Sequence, residues 1–559
     1  MRVVLSSRLP MWTSVGVLLS STFASVVGLS STYVSPSPFH ASSIVSTVNV
    51  GGPLTTTFTS YTLNYQPSAD SGSSDEKNSH WTVGVEGQPG FVEARIGRGP
   101  HKQKALLEVE EVKSSVGQDG ARSTTFLPKN RQLFWKYIIL ATGGTQSAYG
   151  KHQHMCSGSS PKGLTFYAIT VPKPTDESAQ TVVTLETVTA HLNKPLEESR
   201  PQVTEGVRMQ WSSDISHLLA GLDPADVTAL ESIKIKVVCP TPRISEVKAP
   251  PLFDESHPQG GATVTFTSKG APSDIFVPSS GPQIASVVYQ LSEAIPSVRK
   301  LERIVETSHW GAKASFQDNI DLYNPEPKLQ GHFSRLEHQR LMMQNRAKAN
   351  SITDLSIQLP AGANNAYYYD LVGNVSTSNF RPSPPLTLTQ KSKGKAPAPA
   401  LLELKPRYPL QGGWNYSFTI GFDVPLSDSV KALNRNDGKR MFLLAVPFVT
   451  PLKDVAMDDV TVEIRLPEGA SDIKVTPPFP VDSLTIDALS KGYLDSTGRP
   501  TVRLYKRSCS DRHSSPIFVE YSLPLYREFL QKPLSVAMVM LTVFVLTLIA
   551  RRTEWAIPK

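Results

Sequence analysis

Apolar and polar positions alternate with a period of two through much of the middle of the chain. Thr181–Leu192 (TVVTLETVTAHL), Ala262–Ser268 (ATVTFTS), Ser417–Val424 (SFTIGFDV), Val460–Pro467 (VTVEIRLP) and Thr501–Lys506 (TVRLYK) are rich in β-branched and aromatic residues, which suit a pleated, half-buried surface. Turn residues separate many of these runs: Glu468-Gly469, Asn436-Asp437-Gly438 and Thr497-Gly498-Arg499-Pro500. Antiparallel sandwiches fit this pattern. Helical stretches are fewer, the best candidates being Asp226–Val237 and Ser427–Leu433, neither strongly amphipathic.

The two ends follow a different rule. Arg2 and Arg8 precede an apolar stretch, Met11–Leu19, and small residues follow around Ala24 and Gly28. This is the layout of a secretory signal peptide, expected over residues 1–28, with a short anchor or an unstructured tail as the competing reading. Leu534–Ala550 (LSVAMVMLTVFVLTLIA) carries no charge and is followed at once by Arg551 and Arg552. As a helix it would cover about 25 Å, close to the hydrocarbon thickness of the endoplasmic reticulum membrane. A buried core helix would alternate polar and apolar faces, and this segment is apolar all round. Arginines just past the span belong on the cytosolic side. The expected layout is therefore a signal peptide 1–28, luminal residues from 29 on, a transmembrane helix 533–551 and a cytosolic tail 552–559. The fold class is mainly β: two luminal β-sandwich-like domains with minor helix, plus one C-terminal transmembrane helix.

Within the luminal part, Gln66–His80 and Pro382–Ala400 are too poor in apolar residues to offset the entropy of ordering them. The proline-rich stretch Pro240–Gly261 is the expected boundary between domains 29–245 and 246–532, the second carrying 382–400 as a polar insertion. A length of 559 residues needs more than one core, and three cysteines cannot staple a chain of that size. The net charge of +7 is spread thinly and no arginine-rich patch alternates with stacking aromatics, so a nucleic-acid partner is not expected.

No H-E-x-x-H, G-x-S-x-G or C-x-x-C pattern is present, so catalytic residues, bound metal and cofactor are all expected to be none. His152, His154 and Cys156 would share one face of a strand, but three ligands from one short strand are awkward, and a polar loop is the better reading. Cys156 and Cys239 are a candidate disulfide with Cys509 left over, although the sequence does not settle the pairing. His332 and His338 lie in a charged stretch and read as surface residues. Asn374-Val375-Ser376 and Asn415-Tyr416-Ser417 are sequons on the luminal side, which makes Asn374 and Asn415 glycosylation candidates.

A more specific signal begins at Arg303. VETSHWG (Val305–Gly311), Asp318 and Asp321 in FQDNIDL, and GHFSR (Gly331–Arg335) with Gln339-Arg340 come first. LPAGANNAYYYDLVGNVSTS (Leu359–Ser378), LKPRYPLQGGWNYSFTIGFDVP (Leu404–Pro425), LPEGASDI (Leu466–Ile473) and YLDSTGRPTVRLYK (Tyr493–Lys506) follow. In this order they resemble the ribophorin I family, subunit 1 of the oligosaccharyltransferase complex. Upstream, TAHLNKP (Thr189–Pro195) is the one echo. The motif residues His309, Trp310 and Gly311, then Pro406, Arg407, Pro409, Gly412, Gly413 and Trp414, then Gly498, Arg499 and Pro500, read as structural. His309 suits a packing corner better than catalysis.

The resemblance implies a non-catalytic membrane subunit that stabilises the complex and helps present nascent polypeptides, with transfer chemistry in a separate multi-span subunit. Its implied partners are that subunit and the others of the complex, nascent chains and the translocation channel. Small residues of the span, Ser535, Ala537, Thr542 and Thr547, could pack against a neighbour or face lipid. A single-span receptor or adhesion protein of the secretory pathway shares the same layout, and a luminal hydrolase would need a catalytic constellation that is not visible.

Overall fold

The computed structural model of the chain describes residues 39–553 apart from 66–77, 87–88, 98–102, 106, 117–121, 129–163, 173–179, 205, 220–221, 223–229, 259, 270–282, 292, 345, 347–350, 385–397, 434–439, 450–451, 453–454, 493–494, 496 and 527–530. The expected signal peptide, His152, His154, Cys156, most of the two polar segments 66–80 and 382–400, and the tail beyond Thr553 lie outside these residues.

The described chain is mainly β and buries two separate cores. The first runs from Phe39 to Ile295 and the second from Val298 to Leu523. An eight-stranded sheet dominates each. In the first, Phe39–Gly51 lies at the centre, parallel to Ser232–Val238 and antiparallel to Leu54–Tyr65. In the second, Ser297–Ser308 lies at the centre, antiparallel to Lys313–Tyr323 and parallel to Ala456–Arg465. A four-stranded sheet built on Met441–Pro447 and Pro516–Ser522 shares the second core. Two-residue periodicity is what divides each strand between core and water. In Lys313–Tyr323, Ala314, Phe316, Asp318, Ile320 and Leu322 are buried while Ser315, Gln317, Asn319 and Asp321 are only partly so.

All five strand segments read from the sequence fall on strands. The two helix expectations do not hold. Ser232–Val238 is a strand in the first sheet, since Ile233, Ile235 and Val237 are buried and alternate with exposed Ser232, Lys234 and Lys236. Of Ser427–Leu433, only Leu426–Ser429 makes a helical turn, and Val430–Leu433 joins a strand pair. The pairing edge of a sheet outweighs a weak local helix preference in both places. The segment 240–261, read as a linker, contributes strands Ile244–Lys248 and Phe253–Ser256 to the first core, so the chain passes between cores near 295–298. A helix that the patterns did not suggest covers Arg335–Met343, started by the Ser334 side chain accepting from the Glu337 amide.

Gln531–Arg552 forms one continuous helix, and Pro533–Arg552 is long and apolar enough to cross a membrane. None of this apolar stretch is buried among the described residues.

Candidate functional site: the junction between the two β modules

The segment Leu404–Pro425 reaches the junction through a close approach at Gly412. Gly412 lies so near the Pro327 carbonyl that an added Cβ would sit 1.9 Å from its oxygen; only glycine fits there. The Gly413 amide donates to the Asn324 carbonyl at 2.9 Å, the Asn324 amide returns a bond to the Trp414 carbonyl at 3.0 Å, and the Asn324 side chain donates to the Leu410 carbonyl. Pro409 and Pro406 restrict the backbone on the approach to this turn. Trp414 then packs edge-on against Phe333 and Tyr408.

What this clamp holds is Asn324–Lys328, and that short segment joins the modules. Lys328–Leu329 pairs in parallel with Ser199–Arg200 of the first module, the Gln330 amide donating to the Arg200 carbonyl at 2.7 Å. Arg200 and Glu326 are both buried, and Arg200 Nη2 donates to Glu326 Oε2 at 2.6 Å. The other carboxylate oxygen accepts from the Ile295 amide. Burial pushes the Glu326 carboxyl up to about 7 despite the guanidinium beside it. Beside the pair, Gln202 and Ser334 exchange reciprocal bonds at 2.8 Å, side-chain amide to backbone.

A second contact between modules lies at the other edge. Gly90 rests on Ser508, whose carbonyl oxygen would be 1.8 Å from a Cβ. Buried His513 accepts from the Ser510 amide through Nδ1 and donates from Nε2 to the Gly90 carbonyl at 3.1 Å, which fixes the neutral Nε2–H tautomer. Burial brings this imidazole down to about 4. Its ring meets Phe91 and Phe479 edge-on. Two further pairs flank it: exposed Arg512 with the buried Glu186 at 2.8 Å, and His191 with Asp458 at 2.6 Å.

The remaining motif residues lie within the second module. Arg407 grips the buried Asp370, whose carboxylate also accepts from the Tyr416 hydroxyl at 3.0 Å and from the Val372 and Gly373 amides. Arg407, more than the hydrogen bonds it shares this role with, holds the Asp370 carboxyl down at about 2. The same guanidinium donates to the Asn374 carbonyl, and the neighbouring Tyr408 hydroxyl donates to the Asn415 carbonyl at 2.8 Å. Both sequon asparagines are exposed. His309 is tied to the Tyr521 hydroxyl at 2.7 Å and packs edge-on against Phe442, while Trp310 is exposed at the hairpin tip and the Gly311 amide donates to Ser308 Oγ. Arg499 pairs with Asp495 at 2.7 Å, Pro500 accepts from the Leu466 amide, and Gly498 turns the chain between Ser483–Ser490 and Arg499–Cys509. Inside the core, Arg303 is fully buried and makes a two-pronged pair with Asp318, its third bond going to the Pro447 carbonyl.

Among the described residues no three His, Cys, Asp or Glu side chains are grouped to hold a metal ion. Burial pushes the Cys239 thiol up to about 11 and that of Cys509 up to about 12, so both are protonated near neutrality. The Cys156–Cys239 pairing is left as the sequence left it, because Cys156 lies outside the described residues. Sequence reasoning found the clamp motif but not Arg200, Glu326, Gln202 or His513. The one local hint was YNPEPKL, a carboxylate between two prolines at 325 and 327.

The ribophorin I family model matches residues 103–551, reaching far upstream of Arg303. Among curated relatives, dolichyl-diphosphooligosaccharide–protein glycosyltransferase subunit 1A of Arabidopsis thaliana is 30% identical over 403 residues, 71% of this chain and 58% of that protein. Subunit 1B of Oryza sativa subsp. japonica is 34% identical over 42% of this chain and 45% of its own length. Subunit 1 of Caenorhabditis elegans is 27% identical over 50% and 44%. The chain thus spans about half the length of the curated relatives it matches. Likeness to solved structures is slight: native leukotriene A4 hydrolase from Saccharomyces cerevisiae aligns with a TM-score of 0.23 at 10% identity, over 41% of this chain and 29% of that one, and carries no argument. The clamp, the hairpins and the C-terminal helix all lie within a single continuous family match, and on that match this chain belongs to the ribophorin I family.

Proposed function

We propose that this chain is a non-catalytic subunit of an oligosaccharyltransferase complex in the endoplasmic reticulum membrane. In this reading it stabilises the complex and helps present nascent polypeptides to a catalytic subunit that is a different, multi-span chain. The observation that carries the reading is the family match over residues 103–551, together with relatives named as subunit 1 of a dolichyl-diphosphooligosaccharide–protein glycosyltransferase. The buried, hydrogen-bonded junction supports a scaffold role, since a surface that must position other chains needs its two modules held to one another. Arg551 and Arg552, at the C-terminal end of the apolar helix, support an orientation with the β modules in the lumen. In that orientation Asn374 and Asn415 are open to glycosylation. Two β domains, the second carrying the polar insertion 382–400, remain the proposed organisation of the luminal part.

The test is affinity purification of the tagged chain in mild detergent, followed by mass spectrometry. Transferase subunits should co-purify in stoichiometric amounts; a chain that runs alone would end the proposal. Protease added to intact microsomes should spare the β modules, and their digestion would reverse the orientation.

A further inference from the structure

One face of the second eight-stranded sheet stays open, and it is not flat. The outward side chains of Ser297–Ser308, Lys313–Tyr323 and Asn415–Pro425 line a depression of about 220 Å³, walled by Tyr369 and Leu371. Register sets two rows across it: Tyr369, Thr419, Asn319 and Glu302 in one, Ser417, Asp321 and Lys300 in the next. From this arrangement we infer a binding site for a neutral, hydroxyl-rich ring, the chemistry of a hexose unit in an oligosaccharide.

The hydrogen-bond inventory selects this class. Asn319 Oδ1 is already used by Thr419 and Gln317, which leaves its amide N–H groups as donors. Ser417 occupies Asp321 Oδ1 at 2.9 Å, which leaves Oδ2 as an acceptor. Lys300 is paired with Glu302 Oε1 at 2.5 Å. Donors and acceptors therefore stand side by side, and a hydroxyl, which both gives and accepts, satisfies both. An anion would meet the Glu302 and Asp321 carboxylates with the one lysine already engaged, and a bare cation would leave the Asn319 N–H donors unanswered. A wholly apolar ligand would strand the polar floor. Tyr369 is 39% exposed and stacked on Tyr367 at 6.0 Å and 13°, so its ring is braced to receive the C–H face of a sugar. Arg407 and Asp370, at the end of the same strand, hold this wall in place.

The inference goes beyond complex membership and fails separately from it, because Tyr369→Ala should leave co-purification intact. The test is saturation-transfer difference NMR on the full chain in a non-glycosidic detergent, an alkyl maltoside being itself a hexose ligand. Mannobiose and chitobiose are the free probes, and a high-mannose glycopeptide is the second arm. Transfer to the probe's ring protons is expected, weakened about tenfold by Tyr369→Ala and by Asp321→Ala and within about twofold of normal in Tyr369→Phe. Response to the glycopeptide alone supports the site and assigns it to glycan carried on polypeptide. Absence of transfer from all three probes at millimolar concentration, or transfer that survives both alanine variants, overturns the inference.

Discussion

The junction between the modules and the open face of the second sheet are built from similar residues put to opposite uses. At the junction, Glu326 and Arg200 are buried, each bond is answered, and the backbone of Gly412 presses on Pro327. On the open face, Asp321, Glu302 and Lys300 stay partly or fully exposed and keep unspent hydrogen-bonding capacity. Two aspartates three residues apart show the contrast on a single strand: Asp318 points inward to Arg303, and Asp321 points out. A buried charge is held because removing its partner is costly; an exposed one is cheap to change and is therefore free for recognition.

The sharpest way to break this contrast is Glu326→Ala. It takes away the carboxylate 2.6 Å from the buried Arg200 guanidinium, and we expect a loss of about 3–5 kcal/mol, read as faster hydrogen exchange at Lys328–Leu329 and a lower denaturant midpoint. A loss below about 1 kcal/mol, the value of an exposed pair, would show that the modules are held by something else.

His513 tests the second contact through pH. Its folded pKa, about 4, lies below the unfolded value of about 6.5. Its contribution is therefore full above about pH 6.5 and is lost as pH falls toward 4, a difference of up to about 3 kcal/mol. The stability of His513→Gln should change less over that window than that of the parent chain; equal slopes would remove His513 from the account.

Arg407→Ala should destabilise the second module, since Asp370 keeps its bonds from Tyr416 and two amides but loses its cation. Thermal unfolding of the second module measures it, and the half-exposed guanidinium sets the cost below that of the junction pair. At the other end of the scale, Asp321→Ala and Asn319→Ala should each shift stability by less than about 0.5 kcal/mol. A larger loss would mean that the open face is structural after all.

Much of this was readable from the chain. The alternation in VTVEIRLP and TVRLYK is a local property, because side-chain direction along a strand needs no partner to define it. The motif segments carried the family, and the C-terminal run carried the candidate span. The strand at Ser232–Val238 was missed because its neighbour, Phe39–Gly51, lies far away in sequence and supplies the pairing that decides its state. For the same reason Pro240–Gly261 read as a linker, its few apolar residues being enough once a sheet edge is present.

The sequence by itself determined the mainly β character, the apolar helix and the positions of the clamp glycines, all consequences of short-range pattern and backbone freedom. Only the tertiary structure decided that Arg200 meets Glu326, that His513 reaches Gly90, and which aspartate of FQDNIDL is buried. Those outcomes depend on which distant surfaces exclude water together, and burial, unlike alternation, is not a property of any one stretch of chain.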